Sequence, residues 1–156
     1  MSENPERITI SEKERELLKD GLHVKASWDG KQVDPLLQWL VNQANRGAPQ
    51  QAVTLTVGGN LISGFLVSYE QYLAQVGVQI SSSYNEANGS AGKVREHFSQ
   101  LAPNLDEKDL PPVQFVHLVS AEIYSNSGAP ILIGGSLWRG KISSVDGFSL
   151  GKLVVR

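Results

Sequence analysis

The chain has no cysteine among its 156 residues. Disulfide bonds, thiol catalysis and cysteine-based zinc sites are therefore excluded. No apolar run approaches the roughly 20 residues that a helix needs to span a bilayer. The first seven residues are polar and charged, without the apolar centre of a signal peptide. We therefore expect a cytoplasmic protein that does not enter a membrane.

Histidine is scarce, and no catalytic motif is complete. His23, His97 and His117 lie in segments that need not converge, and no metal-binding His-x-x-x-His spacing occurs. No serine lies in a Gly-x-Ser-x-Gly elbow. Gly58-Gly59 and Gly134-Gly135 precede strands rather than helices, so neither forms a phosphate cradle. We predict no catalytic residue, no metal and no cofactor. We interpret His97 as a surface residue and His117 as a hydrogen-bonded core or interface residue.

The charge is low and unevenly distributed. The formal net charge is -2. Residues 1–20 carry six acidic and four basic side chains, whereas residues 113–156 carry two acidic and four basic ones. This asymmetry favours anionic partners or a head-to-tail contact between copies, and ordinary solvation of two faces is the simpler interpretation. A net negative charge disfavours nucleic acid as a partner.

Helices are predicted in three parts of the chain. Ser11 and Glu14 match a capping box, with a short helix ending at Gly21. A second helix begins after the N-cap Asp34 and ends at Gly47, with apolar residues at three- and four-residue steps. Two further helices are predicted at 69–76 and 93–101, separated by a solvated Ser/Asn/Gly loop over residues 77–92. In the helix at 69–76, the residues predicted to face inward are Tyr72, Leu73 and Val76.

Strands are predicted on both sides of this helical insertion. Residues 22–30 alternate like an edge strand, and residues 52–67 read as a hairpin turning at Gly58-Gly59-Asn60. The longest strand is expected over residues 113–124, and residues 131–138 pair back onto it. One face of the long strand is predicted to carry Phe115, His117, Val119, Ala121 and Ile123.

The closing stretch, residues 137–153, reads as two short strands around a turn at Asp146-Gly147. Asp-Gly between apolar runs is a strong hairpin signal, because both turn positions tolerate positive φ. Phe148 is assigned to the core. Trp138, Arg139 and Lys141 combine an aromatic ring with two cations near a sheet edge, and we predict that they form an interaction surface. A buried Trp138 and a solvated Arg139 are the simpler interpretations.

The order of elements predicts an α+β fold. We expect a small, strongly twisted antiparallel β-sheet or a partly open Sm-like barrel, capped by the helix that starts after Asp34. In this prediction residues 1–33 are a partly mobile N-terminal segment. Residues 34–156 form a single domain with an insertion at 69–112.

Several blocks of the chain carry a resemblance to a known family. They are residues 55–64 (LTVGGNLISG), Val116-His117-Leu118 with Ile123-Tyr124, and the blocks 138–142, 145–148 and 150–152. On these blocks, which span about residues 53–153, the chain resembles the gas vesicle accessory protein GvpU family. The resemblance implies a cytoplasmic, non-enzymatic accessory factor linked to gas vesicle assembly or clustering.

From this resemblance we expect an oligomer that acts by protein–protein interaction with itself and with gas vesicle proteins. Exposed sheet edges independently favour self-association. The alternative is an Sm-like RNA-binding ring protein, because an Arg-Gly pair on the fourth strand contacts RNA in Sm-like proteins. An unrecognised hydrolase is the third hypothesis, and it would require a pocket that joins a histidine and a carboxylate.

Overall fold

The computed structural model describes residues 33–102 and 113–154. The predicted short helix that ends at Gly21, the predicted strand at 22–30 and His23 lie outside the described residues. The described elements, in chain order, are α1 (Pro35–Asn45), β1 (Gln51–Val57), β2 (Asn60–Leu66), α2 (Tyr69–Ser81), α3 (Ser90–Gln100), β3 (Phe115–Tyr124), β4 (Pro130–Lys141), a 3₁₀ turn (Ile142–Ser144) and β5 (Gly147–Leu150).

Helix α1 begins and ends where the sequence predicts. The Asp34 carboxylate accepts hydrogen bonds from the backbone N–H groups of Leu36 and Leu37, which have no partner within the helix. Gly47, at φ 86°, follows the last turn. Leu36 and Trp39 are exposed on this helix. The buried residues of α1 are Leu37, Val41 and Ala44.

Strands β1 and β2 form the predicted hairpin. Val57 pairs with Asn60, so Gly58 and Gly59 are the two turn residues. Both have positive φ, at 56° and 83°, as a two-residue turn of this kind requires. The Gly58 N–H donates to the Asp146 carboxylate at 2.9 Å, which ties the turn to the residue that precedes β5.

The prediction that five alternate residues of β3 share one face is wrong. A β-bulge at Ser120, with φ 49°, shifts the pairing of β2 and β3 between Ser63 and Phe65. The extra residue inverts the alternation after Val119. Ala121 and Ile123 therefore share the face of Val116 and Leu118, whereas Phe115, His117 and Val119 lie on the other face.

The glycine opposite this bulge has no room for a side chain. A Cβ atom on Gly64 would lie 3.0 Å from the carbonyl oxygen of Val119 and 3.1 Å from Cα of Ala121. Both atoms belong to the backbone of β3 and cannot rotate away. Gly64 therefore allows β2 and β3 to approach where the bulge pushes the β3 backbone toward it.

Both helices of the insertion extend into the predicted loop. Helix α2 continues to Ser81 and α3 starts at Ser90, so half of the predicted loop at 77–92 is helical. Helix α2 continues through Gly77 because this residue is buried against α3, where an added Cβ would lie 2.9 Å from Cβ of Phe98. Across the remaining turn, Arg95 donates two hydrogen bonds to the Glu86 carboxylate, at 2.7 and 3.0 Å. This pairing lowers the pKa of Glu86 and raises that of Arg95.

The five strands form one antiparallel sheet in the order β4-β3-β2-β1-β5. The predicted hairpin at Asp146-Gly147 is therefore wrong, since β4 pairs with β3 and β5 pairs with β1 at opposite ends of the sheet. The 3₁₀ turn after Lys141 starts the crossing between the two edges. Asp146 is held on β1 instead of closing a turn, because its N–H donates to the Thr56 carbonyl at 2.8 Å.

Residues 151–153 cross one face of the sheet after β5 and are fixed by two buried hydroxyl groups. The Ser63 hydroxyl accepts hydrogen bonds from the Leu153 N–H at 2.7 Å and from the Thr54 hydroxyl at 3.1 Å. Thr54 also lies 2.9 Å from the Gly151 carbonyl oxygen. Farther along, the Lys152 ammonium lies 3.8 Å from Glu122 and 5.6 Å from the Phe65 ring centre.

The core lies on the strand faces and on the buried side of α1. Its fully buried large side chains include Leu37, Leu55, Leu66, Leu118 and Ile142. Phe148, predicted as core, is only half-buried. The α+β fold with an antiparallel sheet and a helical insertion is confirmed. The sheet is open, so an Sm-like barrel stays a hypothesis.

Candidate interaction site on strand β4

The three predicted site residues lie on the last third of β4, but strand alternation divides them between two faces. Arg139 pairs with His117 and Lys141 pairs with Phe115 on β3, so the two cations share one face. Trp138 pairs with Leu118 and lies on the opposite face. The structure therefore brings Arg139 and Lys141 together and separates them from Trp138.

Trp138 is half-buried and covers its neighbour Gly140. A Cβ atom on Gly140 would overlap the six-membered ring of the Trp138 indole. Residues two apart on a strand lie on the same face, so the ring folds along β4 over the space that a side chain at 140 would occupy. Glycine at position 140 thus leaves room for the Trp138 ring in this position.

Arg139 is exposed, and aromatic rings hold its guanidinium group in place. The guanidinium carbon lies 4.0 Å from the Phe115 ring centre and 5.7 Å from that of Tyr69. Both distances are within the range of cation–π attraction, which is about 6 Å. Tyr69 comes from the first turn of α2, so the helical insertion contributes to the surroundings of a β4 side chain.

His117 lies beneath this cation and is 3% exposed. Its ring is stacked with Tyr69 at 5.1 Å and tilted against Tyr72 at 4.7 Å, measured between ring centres. Neither ring nitrogen has a hydrogen-bond partner among the described residues, so the prediction of a hydrogen-bonded histidine is wrong. Burial, together with the Arg139 charge, lowers the pKa of His117 to about 4, and the imidazole is neutral at pH 7.

We call these five residues the Arg139 cluster: Tyr69, Tyr72, Phe115, His117 and Arg139. Sequence analysis missed the two tyrosines and assigned Phe115 and His117 no role at the site. The only sequence signal for their proximity is the pairing of 115–118 with 138–141, which requires the register of β3 and β4. Nothing in the local pattern of residues 69–76 indicates that α2 packs on that face.

Arg139 and Lys141 differ from Arg95 and Lys152 in lacking a carboxylate partner. Within the described ranges, Arg95 pairs with Glu86 and Lys152 lies near Glu122, whereas no acidic side chain is within ion-pair distance of Arg139 or Lys141. Two unneutralised cations on one face, beside exposed backbone at a sheet edge, can accept an anionic group. His97 is exposed on α3, as predicted.

The described part of the chain has neither a metal-binding cluster nor a membrane-spanning helix. No group of three histidine or acidic side chains there could hold a metal ion. In the same ranges, none of the helices combines the length and the hydrophobicity that crossing a membrane would take.

The fold and the site together define an α+β protein with an open antiparallel sheet and a cationic, aromatic surface at one edge. A family model described as "Gas vesicle protein GvpU-like" matches residues 34–153, which is more than half of the chain. The chain belongs to the GvpU-like family of gas vesicle proteins. The match runs from the N-cap of α1 to the crossing segment after β5, so it includes both helices of the insertion. No curated protein and no solved structure matches the chain significantly.

Proposed function

We propose that this protein is a non-enzymatic gas vesicle accessory protein that associates with itself through its sheet edges and contacts gas vesicle proteins in vesicle assembly or clustering. The membership in the GvpU-like family supports the link to gas vesicles. The observation that carries the mechanism is the open sheet, whose edge strands β4 and β5 carry exposed apolar side chains.

The edges favour self-association because an edge strand has unpaired N–H and C=O groups that a further strand can pair with. Exposed apolar residues are found on both edges, with Ile131 and Ile133 on β4 and Leu150 on β5. Soluble proteins commonly cover apolar residues on an edge strand or replace them with charges. We therefore assign them to contacts between copies.

The surface left for a vesicle protein is the other end of β4. Arg139 and Lys141 are exposed there and have no carboxylate partner within the described ranges. Trp138 lies on the opposite face and extends this contact only if the partner reaches both faces of the edge. Arg139 is held on Phe115, so it loses less side-chain entropy on binding than a free arginine would.

Flotation with purified gas vesicles tests the contact. The full-length protein is mixed with vesicles and centrifuged, and the protein in the buoyant layer is measured. We expect the native protein to float with the vesicles and the Arg139→Ala/Lys141→Ala variant to remain below. Lys93→Ala, which removes an exposed cation on α3, is the matched control and should float like the native protein.

Other outcomes would contradict parts of this proposal. A native protein that never floats with vesicles would contradict the vesicle contact. Light scattering on a sizing column tests self-association separately, and a monomer at every accessible concentration would contradict it. Retention of single-stranded RNA that Arg139→Ala abolishes would instead favour the Sm-like alternative, to which the family match lends no support.

A further inference from the structure

The β3–β4 hairpin contains an uncharged stretch that is exposed near its tip. Residues 123–138 include no charged side chain, and the stretch is bounded by Glu122 and Arg139. Near its tip, Ile131, Leu132 and Ile133 are 60%, 40% and 63% exposed. Successive strand residues point to opposite faces, so both faces of β4 are apolar and bare here.

The backbone limits this apolar segment on both sides. Pro130 has no N–H to donate to a further strand. Gly134 and Gly135 have φ angles of 90° and 80°, which interrupt the extended conformation. The part of β4 that can pair with another strand near the tip is therefore residues 131–133. Two of these three residues are β-branched and none is charged, so no charge protects this exposed edge from pairing with another strand.

We propose that residues 131–133 of β4 pair with the same residues of a second copy, antiparallel, about a two-fold axis at Leu132. In this register Leu132 faces its own counterpart and Ile131 faces Ile133 of the other copy. The inference rests on the proposed self-association and locates it on one half of one edge. The interface uses the same patch on both copies, so it closes as a dimer.

The distribution of charged residues along β4 favours a second copy as the partner of this edge, and it favours an axis at Leu132. Pairing about this axis places residues 131–133 of the two copies opposite one another, and none of these residues is charged, so like charges do not meet. Pairing about Gly140 would instead place Arg139 opposite Lys141, which is unfavourable. An anionic membrane or an acidic partner would require cations within the stretch, and residues 123–138 have none.

This arrangement leaves the Arg139 cluster and Lys141 free. The dimer forms at the tip of the hairpin, and the cationic end of β4 lies at the other end of the strand on each copy. A dimer of this kind would present two copies of the proposed vesicle-binding surface, which would allow one dimer to bridge two partners.

Disulfide trapping tests the register directly, because the native chain has no cysteine. Directly opposed residues of antiparallel strands have Cα atoms about 4.5 or 5.5 Å apart, within the range that a disulfide spans. We expect full-length Leu132→Cys to form a disulfide dimer under mild oxidation at least about tenfold faster than Val78→Cys, an exposed control on α2. Excess native protein should slow the reaction. Equal rates for the two variants would overturn the proposal.

Charge substitution gives an independent test in solution. Both isoleucines are exposed, so Ile131→Lys/Ile133→Lys should fold, and circular dichroism checks this. We expect its dimer dissociation constant to rise by at least about tenfold, because like charges would then face each other. Mixing it with Ile131→Glu/Ile133→Glu should restore a heterodimer, which a merely misfolded variant could not do.

The controls separate this inference from the proposed function. If the native protein associates and Leu150→Lys on β5 disrupts the complex while the β4 variants do not, self-association stands and the β4 assignment is overturned. If the native protein is monomeric at every concentration, the dimer and the proposed self-association are both overturned.

Discussion

The Arg139 guanidinium carbon lies 4.0 Å from the Phe115 ring centre, although the cross-strand partner of Phe115 is Lys141. The contact is therefore diagonal, between residues on neighbouring strands that are not directly opposed. Diagonal neighbours remain within reach for long and aromatic side chains. The same register places His117 directly across from Arg139 and beneath the tyrosines of α2. The pairing of two strand ends thus determines the composition of the Arg139 cluster.

The buried His117 should make stability depend on pH. Its pKa is about 4 in the folded protein and about 6.5 when unfolded. Between these values the unfolded chain binds more protons, so stability is full above about pH 6.5 and falls as the pH decreases toward 4. At about 1.4 kcal/mol per pKa unit, the loss amounts to roughly 3 kcal/mol at most. Denaturant unfolding at pH 7 and pH 5 measures it.

Two variants isolate the contribution of His117 from that of the carboxylates. His117→Phe keeps a ring between the tyrosines and should flatten the dependence between pH 7 and pH 5. His97→Gln, at an exposed position, should leave it unchanged. A native-like pH dependence in His117→Phe would contradict the prediction.

Gly64→Ala should destabilise the protein, because the added methyl group would press on backbone atoms of Val119 and Ala121. We expect the free energy of unfolding to fall by about 1–3 kcal/mol, as for other overpacked sites. Chemical denaturation measures the change. Gly92→Ala is the matched control: it lies in α3 with nothing within 4 Å of the added Cβ, and it should be neutral or stabilising.

Ser63→Ala should loosen the segment that follows β5. It removes the acceptor of the Leu153 N–H and the partner of the Thr54 hydroxyl at a fully buried position. Leaving a buried donor without a partner lowers stability by about 1–3 kcal/mol. Hydrogen exchange at the Leu153 amide should accelerate more than at β3 amides. Ser99→Ala on the exposed face of α3 is the control, and equal effects of the two variants would argue against a specific role for Ser63.

Gly140→Ala should displace the Trp138 ring, because a Cβ atom at 140 would overlap it. The ring can rotate, so we expect a change in tryptophan emission with little loss of β-sheet circular dichroism. The measurement uses a background in which Trp28 and Trp39 are replaced by Phe, so that Trp138 is the single reporter. Gly147→Ala, where nothing lies within 4 Å of the added Cβ, should leave the emission unchanged.

Local sequence signals predict the structure correctly where the conformation of a segment depends only on its own few residues. The Asp34 cap and the Gly58-Gly59 turn were predicted correctly, since each depends on the conformation of a few neighbouring residues. Asp146-Gly147 has an equally strong local signal and does not turn. Its carboxylate and its N–H bind Gly58 and Thr56, nearly 90 residues earlier.

In the helical insertion, too, a tertiary contact overrides a local sequence signal. Residues 77–81 look like the start of a Ser/Asn/Gly loop, yet they are helical because Gly77 packs closely against Phe98 of α3. A glycine without a side chain disfavours a helix locally, and the contact between two helices outweighs that preference.

The sequence by itself determined the α+β class, the first hairpin, the ends of α1 and the exposed cations of β4, because turn glycines, caps and alternation act over a few residues. Only the tertiary structure decided which strands are edges, which face each side chain occupies after the Ser120 bulge, and which aromatic rings surround Arg139. These properties depend on register, and one extra residue in a strand inverts every face beyond it. No local pattern contains that information.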